Sequence, residues 1–333
     1  MTAFFYFAFE VKKVLVLYYT QSGQQRRILE SITRPLADNG AEICWEEILP
    51  ADPYPFPWSA YQFFNAFPET FKQQPLPLKP LSSNAYADYD LIILGYQPWF
   101  LTPSRPVSSF LQSDDGKRIL SNRYVITVLG CRNMWLGAQE KVKHWLRLAN
   151  AKWIGHIALV DKGGNLTSLI TILHWMLTGK KEPFWIFPEA GVAKKEVENA
   201  RHFGDVILKS FNENRLDQLQ RDLNAVGAID IKPNLVLMEK RGQKSFSVWA
   251  KFVAAGGAVH SAGRTVRVYV FMYLLPTMIF ILTPLLWIVS RIQLALMKKQ
   301  LQAEIEYYRS TAGRTSSDPG SETPSNAITQ SAR

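Results

Sequence analysis

The chain predicts an α/β fold of the doubly wound kind, a five-stranded parallel sheet covered by helices on both faces. Three observations carry this. Short runs rich in β-branched and aromatic residues recur at 11–19, 41–48, 89–95, 124–130 and 154–160, and their stretches 14–19 and 91–95 are apolar without alternation, as strands buried on both faces require. Helical stretches separate them, for example 24–38 and 137–150, so each crossover is right-handed and the topologies reduce to a few. The 333 residues are 47% hydrophobic and 20% charged, enough for a substantial core in one large or two small domains and unlike a disordered or fibrous chain. No internal repeat is present.

From the N-terminus, residues 1–10 are apolar but lack a basic n-region and a small-residue cleavage site, which argues against a secretory signal and for an extra strand or a fraying extension. The first strand runs at once into a polar turn. The helix after it carries Ile28, Leu29, Ile32 and Leu36 on one face and stops at Asn39-Gly40. Residues 49–80 break the pattern: prolines forbid a long helix, and eight of the 18 residues from 54 to 71 are aromatic. A loop of this length is functional or disordered, and the aromatics argue against disorder. It reads either as a lid or wall of an apolar groove, or as a satellite cluster under a surface loop. Residues 310–333 form a Ser/Thr/Gly/Pro tail expected to be disordered.

Residues 268–290 are 23 uncharged residues between Arg264 and Arg267 on one side and Arg291, Lys298 and Lys299 on the other. As a helix they would measure about 34 Å, enough for a hydrocarbon core of about 30 Å. The expectation is a transmembrane segment, with a re-entrant one as the alternative because Pro276 and Pro284 lie inside it. Lys plus Arg number 38 against 28 Asp plus Glu, a net charge of +10 that favours an anionic partner. Seven basic residues and one carboxylate, Glu239, lie between Lys232 and Arg267. Basic charge beside an apolar segment points to anionic lipid and not to nucleic acid, with the main domain cytoplasmic. Two cysteines, Cys44 and Cys131, exclude a disulfide framework and a metal-ligand spacing, so no metal is expected and the compartment reads as reducing.

Three segments carry chemistry. Thr20, Gln21, Ser22, Gly23, Gln24 and Gln25 join the first strand to the first helix, where backbone N–H groups and two hydroxyls form a cradle for a phosphate dianion. The same residue types also serve as ordinary helix caps. The segment resembles the flavodoxin phosphate loop at Thr20, Ser22 and Gly23, with Gln25 in place of the final hydroxyl. The second segment, Gly95, Tyr96, Gln97, Pro98, Trp99 and Phe100, closes the third strand. It resembles the Gly-Tyr-x-x-Trp segment of flavodoxin-like quinone reductases and related proteins, which implies that its backbone and rings contact an isoalloxazine. The third, Gly130, Cys131, Arg132, Asn133, Met134 and Trp135, follows the fourth strand. In flavodoxins that loop covers the other flavin face, which makes Gly130, Arg132, Asn133 and Trp135 flavin neighbours and Arg132 a partner for a reduced, anionic ring edge. Cys131 has no histidine near in sequence and reads as a structural thiol.

With residues 161–165 and the apolar stretch 166–181, these segments resemble the flavodoxin-like dialkylresorcinol condensing enzyme family of bacterial lipid and pigment gene clusters, over roughly residues 11–300. The resemblance implies a sheet of order 2-1-3-4-5, an FMN-binding domain over 11–215 with 49–80 inserted, a basic juxtamembrane region over 216–267 and the membrane segment. FMN is favoured over FAD or NAD because no Gly-x-Gly-x-x-Gly follows the first strand. No ketosynthase pattern is present, so the implied activity is redox: oxidation of a dialkyl cyclohexanedione, made by a partner ketosynthase, to a resorcinol. The alternative is an electron carrier or an NAD(P)H-quinone reductase. Candidates for proton transfer are Tyr96 and Asp161, with His144, His156, His174 and His202, while Arg132 is a catalytic candidate through its charge at the reduced ring edge. The expected substrate is a lipophilic small molecule.

Overall fold

A computed structural model describes residues 13–311; the expectations for residues 1–12 and for the tail from 312 onward lie outside the described residues. The chain opens with β1 (Lys13–Tyr18), α1 (Gln24–Asp38) and β2 (Glu42–Glu47), then places two short helices, α2 (Ala60–Asn65) and α3 (Phe67–Phe71), inside the 49–80 stretch. There follow β3 (Leu91–Tyr96), a small hairpin of β4 (Pro98–Trp99) and β5 (Thr102–Pro103), and the helices α4 (Arg105–Gln112) and α5 (Asp114–Leu120). The sheet is completed by β6 (Tyr124–Cys131) and, after α6 (Leu136–Leu148), by β7 (Lys152–Val160). The five long strands lie in the order β2-β1-β3-β6-β7, all parallel. In order of appearance that is 2-1-3-4-5, the flavodoxin-like order.

Both β1 and β3 are buried almost end to end, which is why no alternation marks them in the sequence. Helix α1 presses Ile28, Leu29, Ile32 and Leu36 onto the sheet. Its approach is close enough to require glycine beneath it. A Cβ on Gly95 would lie 2.5 Å from Leu29, and one on Gly130 would lie 2.6 Å from Ile28. These glycines therefore seat α1 on β3 and β6, a packing duty rather than the ring approach expected of Gly95.

After α7 (Asn165–Thr178) the chain continues through α8 (Lys194–Asn199), α9 (Arg201–Asn212) and α10 (Leu219–Ala225). The sheet domain extends past residue 215, since Leu219, Leu223 and Ile229 belong to the main core and the Ala158 N–H bonds the Ala228 carbonyl. Residues 216–267, expected as a juxtamembrane region, contain α11 (Pro233–Ala254), whose Val236, Leu237, Ala250 and Val253 are buried. The apolar stretch lies inside one continuous helix, α12 (Ala262–Leu296), running through both prolines, and α13 (Lys298–Tyr308) then returns with Leu301, Glu304 and Tyr308 buried.

The aromatic insertion forms a second, smaller cluster in which Phe64 and Phe67 meet Ala250 and Val253 of α11 and Val268 and Phe271 of α12. This answers the lid-or-cluster alternative for α2 and α3 as a closed, packed cluster. Its polar lock is Arg264. The guanidinium is buried and donates to both Glu69 carboxylate oxygens at 2.7 Å, to the Asn65 side-chain oxygen at 2.7 Å and to the Asn65 carbonyl at 2.8 Å. Burial pushes the Glu69 carboxyl up, but the hydrogen bonds and charge of Arg264 outweigh it and hold the group below its ordinary value.

Removing one partner of such a pair leaves an uncompensated buried charge. Arg264→Met should lower stability by about 3–5 kcal/mol in denaturant titrations, and the double replacement Arg264→Met with Glu69→Leu should recover most of it. A single-variant loss below about 1 kcal/mol, the range of an exposed pair, would show the lock to be idle.

Candidate functional site

The expected site residues gather at the carboxyl edge of the sheet, in the loops after β1, β3 and β6. That edge, where the strand order reverses between β1 and β3, is where doubly wound sheets bind ligands. Helix α1 opens with Gly23 in the left-handed region, φ 77°, and no side chain caps its first turn. Thr20 and Ser22 are half-buried, and neither hydroxyl has a hydrogen-bond partner among the described residues. The turn thus leaves the first N–H groups of α1 and two hydroxyls open, the donor set that an anion cradle requires. The Gln21 amide donates to the Pro55 carbonyl at 2.8 Å, tying the cradle to the aromatic insertion.

Gln24 and Gln25 are not disposed as expected. The Gln25 side chain is buried and spans from α1 to β6, donating to the Val128 carbonyl and accepting from the Gly130 N–H, each at 2.9 Å. The side-chain oxygen of Gln24 accepts from the Val192 N–H at 3.0 Å. The Gln25 carboxamide and the Gln24 side-chain oxygen are spent on the body, which leaves an anion the two backbone N–H groups and the Gln24 side-chain amide. The glutamine that replaces a loop hydroxyl is a structural tie.

At the end of β3 and just after it, several buried polar atoms have no partner among the described residues. The Tyr96 hydroxyl, both polar atoms of the Gln97 side chain, and the hydroxyls of Thr102 and Ser104 are buried without a partner, as is the Trp58 indole N–H nearby. So many orphans in one short segment would each cost free energy unless a ligand or water meets them. Trp99 is buried in a cage of Tyr19, Tyr54 and Trp58, with ring centroids 5.8, 5.1 and 5.6 Å away in edge-to-face arrangement. Pro98 pairs with Pro103 in the hairpin. Phe100 packs on Phe63 at 4.9 Å and Phe67 at 5.1 Å.

The rings form an unbroken seam. From Tyr19 contacts run to Trp99, to Trp58 at 5.6 Å, to Phe63 at 5.9 Å, to Phe100, to Phe67, and to Phe271 of α12 at 4.4 Å. The end of β1 is joined through aromatic packing to the long apolar helix.

After β6, ionisable groups cluster. Glu239 of α11 is buried, and its carboxylate accepts from the Leu136 N–H at 3.1 Å and the Gly137 N–H at 2.7 Å, at the start of α6. Burial pushes its carboxyl up to about 7, although the N–H groups of Gly137, Leu136 and Trp135 and the charge of Lys141 pull the other way. Glu239, Asn133, Trp135 and Asp161 line one small cavity of about 20 Å³, room for one water molecule. Arg132, half-buried, is lowered by burial to about 10 and so stays charged at neutral pH. Burial pushes the Cys131 thiol and the Tyr96 phenol well up, which removes both as nucleophile or base near neutrality. Asp161 is committed to its turn, accepting from the Gly163 N–H at 2.8 Å and the Ser168 hydroxyl at 2.6 Å.

The histidines lie elsewhere or are inert. His156 is fully buried between Tyr96, Trp135 and Trp153, bonded to Thr127 at 2.8 Å, and lowered by burial to about 3. His174 stacks on Phe184, and His202 bonds the carbonyls of Asn199 and Val226. The residue that sequence reasoning missed is Glu239, which is 103 positions from its partner Leu136. Its one signal was isolation: the lone carboxylate of a basic stretch.

No protein-family model matches the chain, and no curated protein matches it. Among solved structures it is similar to a flavoprotein in complex with FMN from Lactobacillus acidophilus, with 20% identity and a TM-score of 0.37 over 44% of this chain and 93% of that one. It is also similar to a flavodoxin from the domain Archaea, with 9% identity and a TM-score of 0.29 over 60% and 98%. An NAD(P)H:quinone oxidoreductase from Methanothermobacter marburgensis has 11% identity and a TM-score of 0.25 over 53% and 99%. At these scores the fold rests on the strand order, which makes it flavodoxin-like on its own evidence.

Proposed function

We propose that the chain is an FMN-dependent oxidoreductase that converts a lipophilic cyclic 1,3-diketone to its aromatic diol, the aromatising oxidation of dialkylresorcinol biosynthesis. The observation that carries this reading is the pairing of an uncapped phosphate cradle at α1 with unpartnered polar atoms at Tyr96, Gln97, Thr102 and Ser104, on adjacent strand ends. A phosphate joined to a flat ring with a hydrogen-bonding edge suits that pairing, and the two groups fit FMN better than a dinucleotide. The aromatic seam supports a greasy substrate.

FMN bound there would supply a two-electron acceptor for a reaction that removes one proton and one hydride from the substrate ring. The residues present divide the remaining work. Thr20, Ser22 and the first N–H groups of α1 hold the phosphate. Tyr96, neutral because of its burial, donates a hydrogen bond and takes no proton. Arg132 keeps a positive charge where a ring edge gains electrons. Glu239 is the group matched to proton transfer near pH 7, acting through the small cavity it shares with Asp161.

Mixing the FMN-loaded protein with dialkyl cyclohexanediones in the absence of oxygen should bleach the oxidised flavin band, with resorcinol formed in equal amount. No bleaching by substrates of several chain lengths, beside normal reduction by dithionite, would put an electron carrier ahead.

Glu239 also imposes a pH dependence on stability. Its folded value lies above the ordinary one near 4.5, so its contribution is full below pH 4.5 and is lost as pH rises through about 7. Relative to Glu239→Gln, the wild type should lose about 3 kcal/mol of unfolding free energy across that window. A difference that does not vary with pH would place the carboxyl at its ordinary value.

A further inference from the structure

The expectation of a membrane-crossing segment meets a geometric obstacle, because both ends of α12 are fastened to one body. Near its start Arg264 is locked to Glu69 and Asn65, and Arg267 donates to the Phe252 carbonyl at 2.8 Å. Near its end Ser290 accepts from Arg241 at 3.1 Å and Gln293 accepts from the same guanidinium. The chain then re-enters the body through α13, where Lys240 pairs with Glu304 and the Tyr308 carbonyl accepts from Gln139 at 3.3 Å. From 264 to 290 the helix rises about 39 Å, more than a hydrocarbon core of about 30 Å. A crossing α12 would carry Lys240 and Arg241 of α11 through lipid with it, a heavy cost.

The face that α12 turns outward is apolar all the same. Tyr273 is 67% exposed and Ile281 68%, with Val266, Tyr269, Leu274 and Phe280 exposed beside them. A core helix would be covered, yet little of 262–282 is buried. Cations stand on the elements that adjoin α12 in the chain. Lys244 and Lys251 on α11 and Lys298 and Lys299 after α12 are exposed and have no ion pair among the described residues. Glu239, the one carboxylate between Lys232 and Arg267, is buried, so the exposed charge of that stretch is wholly positive.

A second feature stands apart from α12. Phe184 and Phe187 exchange backbone hydrogen bonds at 3.1 and 2.8 Å, closing a tight turn with Trp185 and Ile186 at its tip. Trp185 is 97% exposed and Ile186 90%, and Trp185 holds a left-handed φ of 50° that disfavours a bulky side chain. Both rings of the turn base are packed, Phe184 on His174. Tryptophan exposed in this way suits the headgroup layer of a bilayer.

We propose that the protein is held on one leaflet of an anionic phospholipid bilayer, with α12 lying along the surface between its two fastened ends and the Trp185–Ile186 tip as a separate point of insertion. An apolar face with lysines on the adjoining elements is the pattern of an interfacial helix. The proposal does not depend on the flavin reading, and flavin content measured in the same preparation keeps their failures apart.

Two measurements on the full chain test it. Single cysteines at His260→Cys, before α12, and Gln300→Cys, after it, should both react with an impermeant maleimide from the same side of sealed membrane vesicles, above the background of Cys44 and Cys131. Labelling from opposite sides would overturn the proposal in favour of a crossing helix. In flotation, the protein should bind phosphatidylcholine vesicles containing phosphatidylglycerol, with weaker binding to phosphatidylcholine alone. Tyr273→Lys with Ile281→Lys, and separately Trp185→Ser with Ile186→Ser, should each weaken binding roughly tenfold or more. These side chains are exposed, so folding is not at stake. Unchanged flotation of both variants would overturn the proposed surface.

Discussion

The placement of the apolar helix depends on one buried ion pair. Arg264 spends its guanidinium on Glu69 and Asn65, and through them binds the start of α12 to the two short helices of the aromatic insertion. A buried pair of this kind adds little net stability over a well-packed apolar substitute, because desolvation offsets most of the attraction. Its contribution is specificity: the fork of Arg264 fits one carboxylate in one orientation, and Phe271 meets Phe67 ring to ring at 4.4 Å only in that register. A slip by one residue would turn Phe271 aside and expose the smaller aromatic cluster.

That register has consequences at the other end of the molecule. The seam from Phe271 to Tyr19 passes through Trp58 and Trp99, beside the unpartnered atoms at the end of β3. The seam is filled, so a long alkyl chain could enter only by displacing rings of the insertion, whose two helices are six and five residues long and are bound to the body by side chains more than by backbone. The proposed phosphate cradle sits on stiffer ground. Gln25 fastens the first turn of α1 to β6 by two hydrogen bonds, and Gly95 and Gly130 let α1 lie close upon the sheet. A rigid anion site beside a softer apolar wall is a workable division for holding a cofactor and admitting a substrate.

The sheet was legible in the sequence because its central strands, β1 and β3, are buried on both faces and read as unbroken apolar runs; α1 appears over the expected residues 24–38. Order 2-1-3-4-5 followed from the resemblance of the loops and matches the observed pairing. What the sequence could not display was distance. Gly95 looked like an opening for a ring and is a contact for Leu29, since helix-to-sheet spacing is a property of the folded pair. Gln25 looked like a weakened phosphate ligand because its partners, Val128 and Gly130, lie over a hundred residues on. Glu239 was invisible as a site residue for the same reason. Length and hydropathy marked 268–290 as able to cross a membrane, but neither property records that α13 leads the chain back to the body it left.

The central claim, a flavin site at the carboxyl edge of this sheet, is tested most directly by the visible absorption spectrum of the full-length protein purified in detergent, followed by chromatography of whatever cofactor heat releases. The account predicts flavin bands and FMN approaching one per chain after incubation with the free cofactor. FAD in its place, or a protein that takes up no flavin at any added concentration while remaining folded, would contradict it.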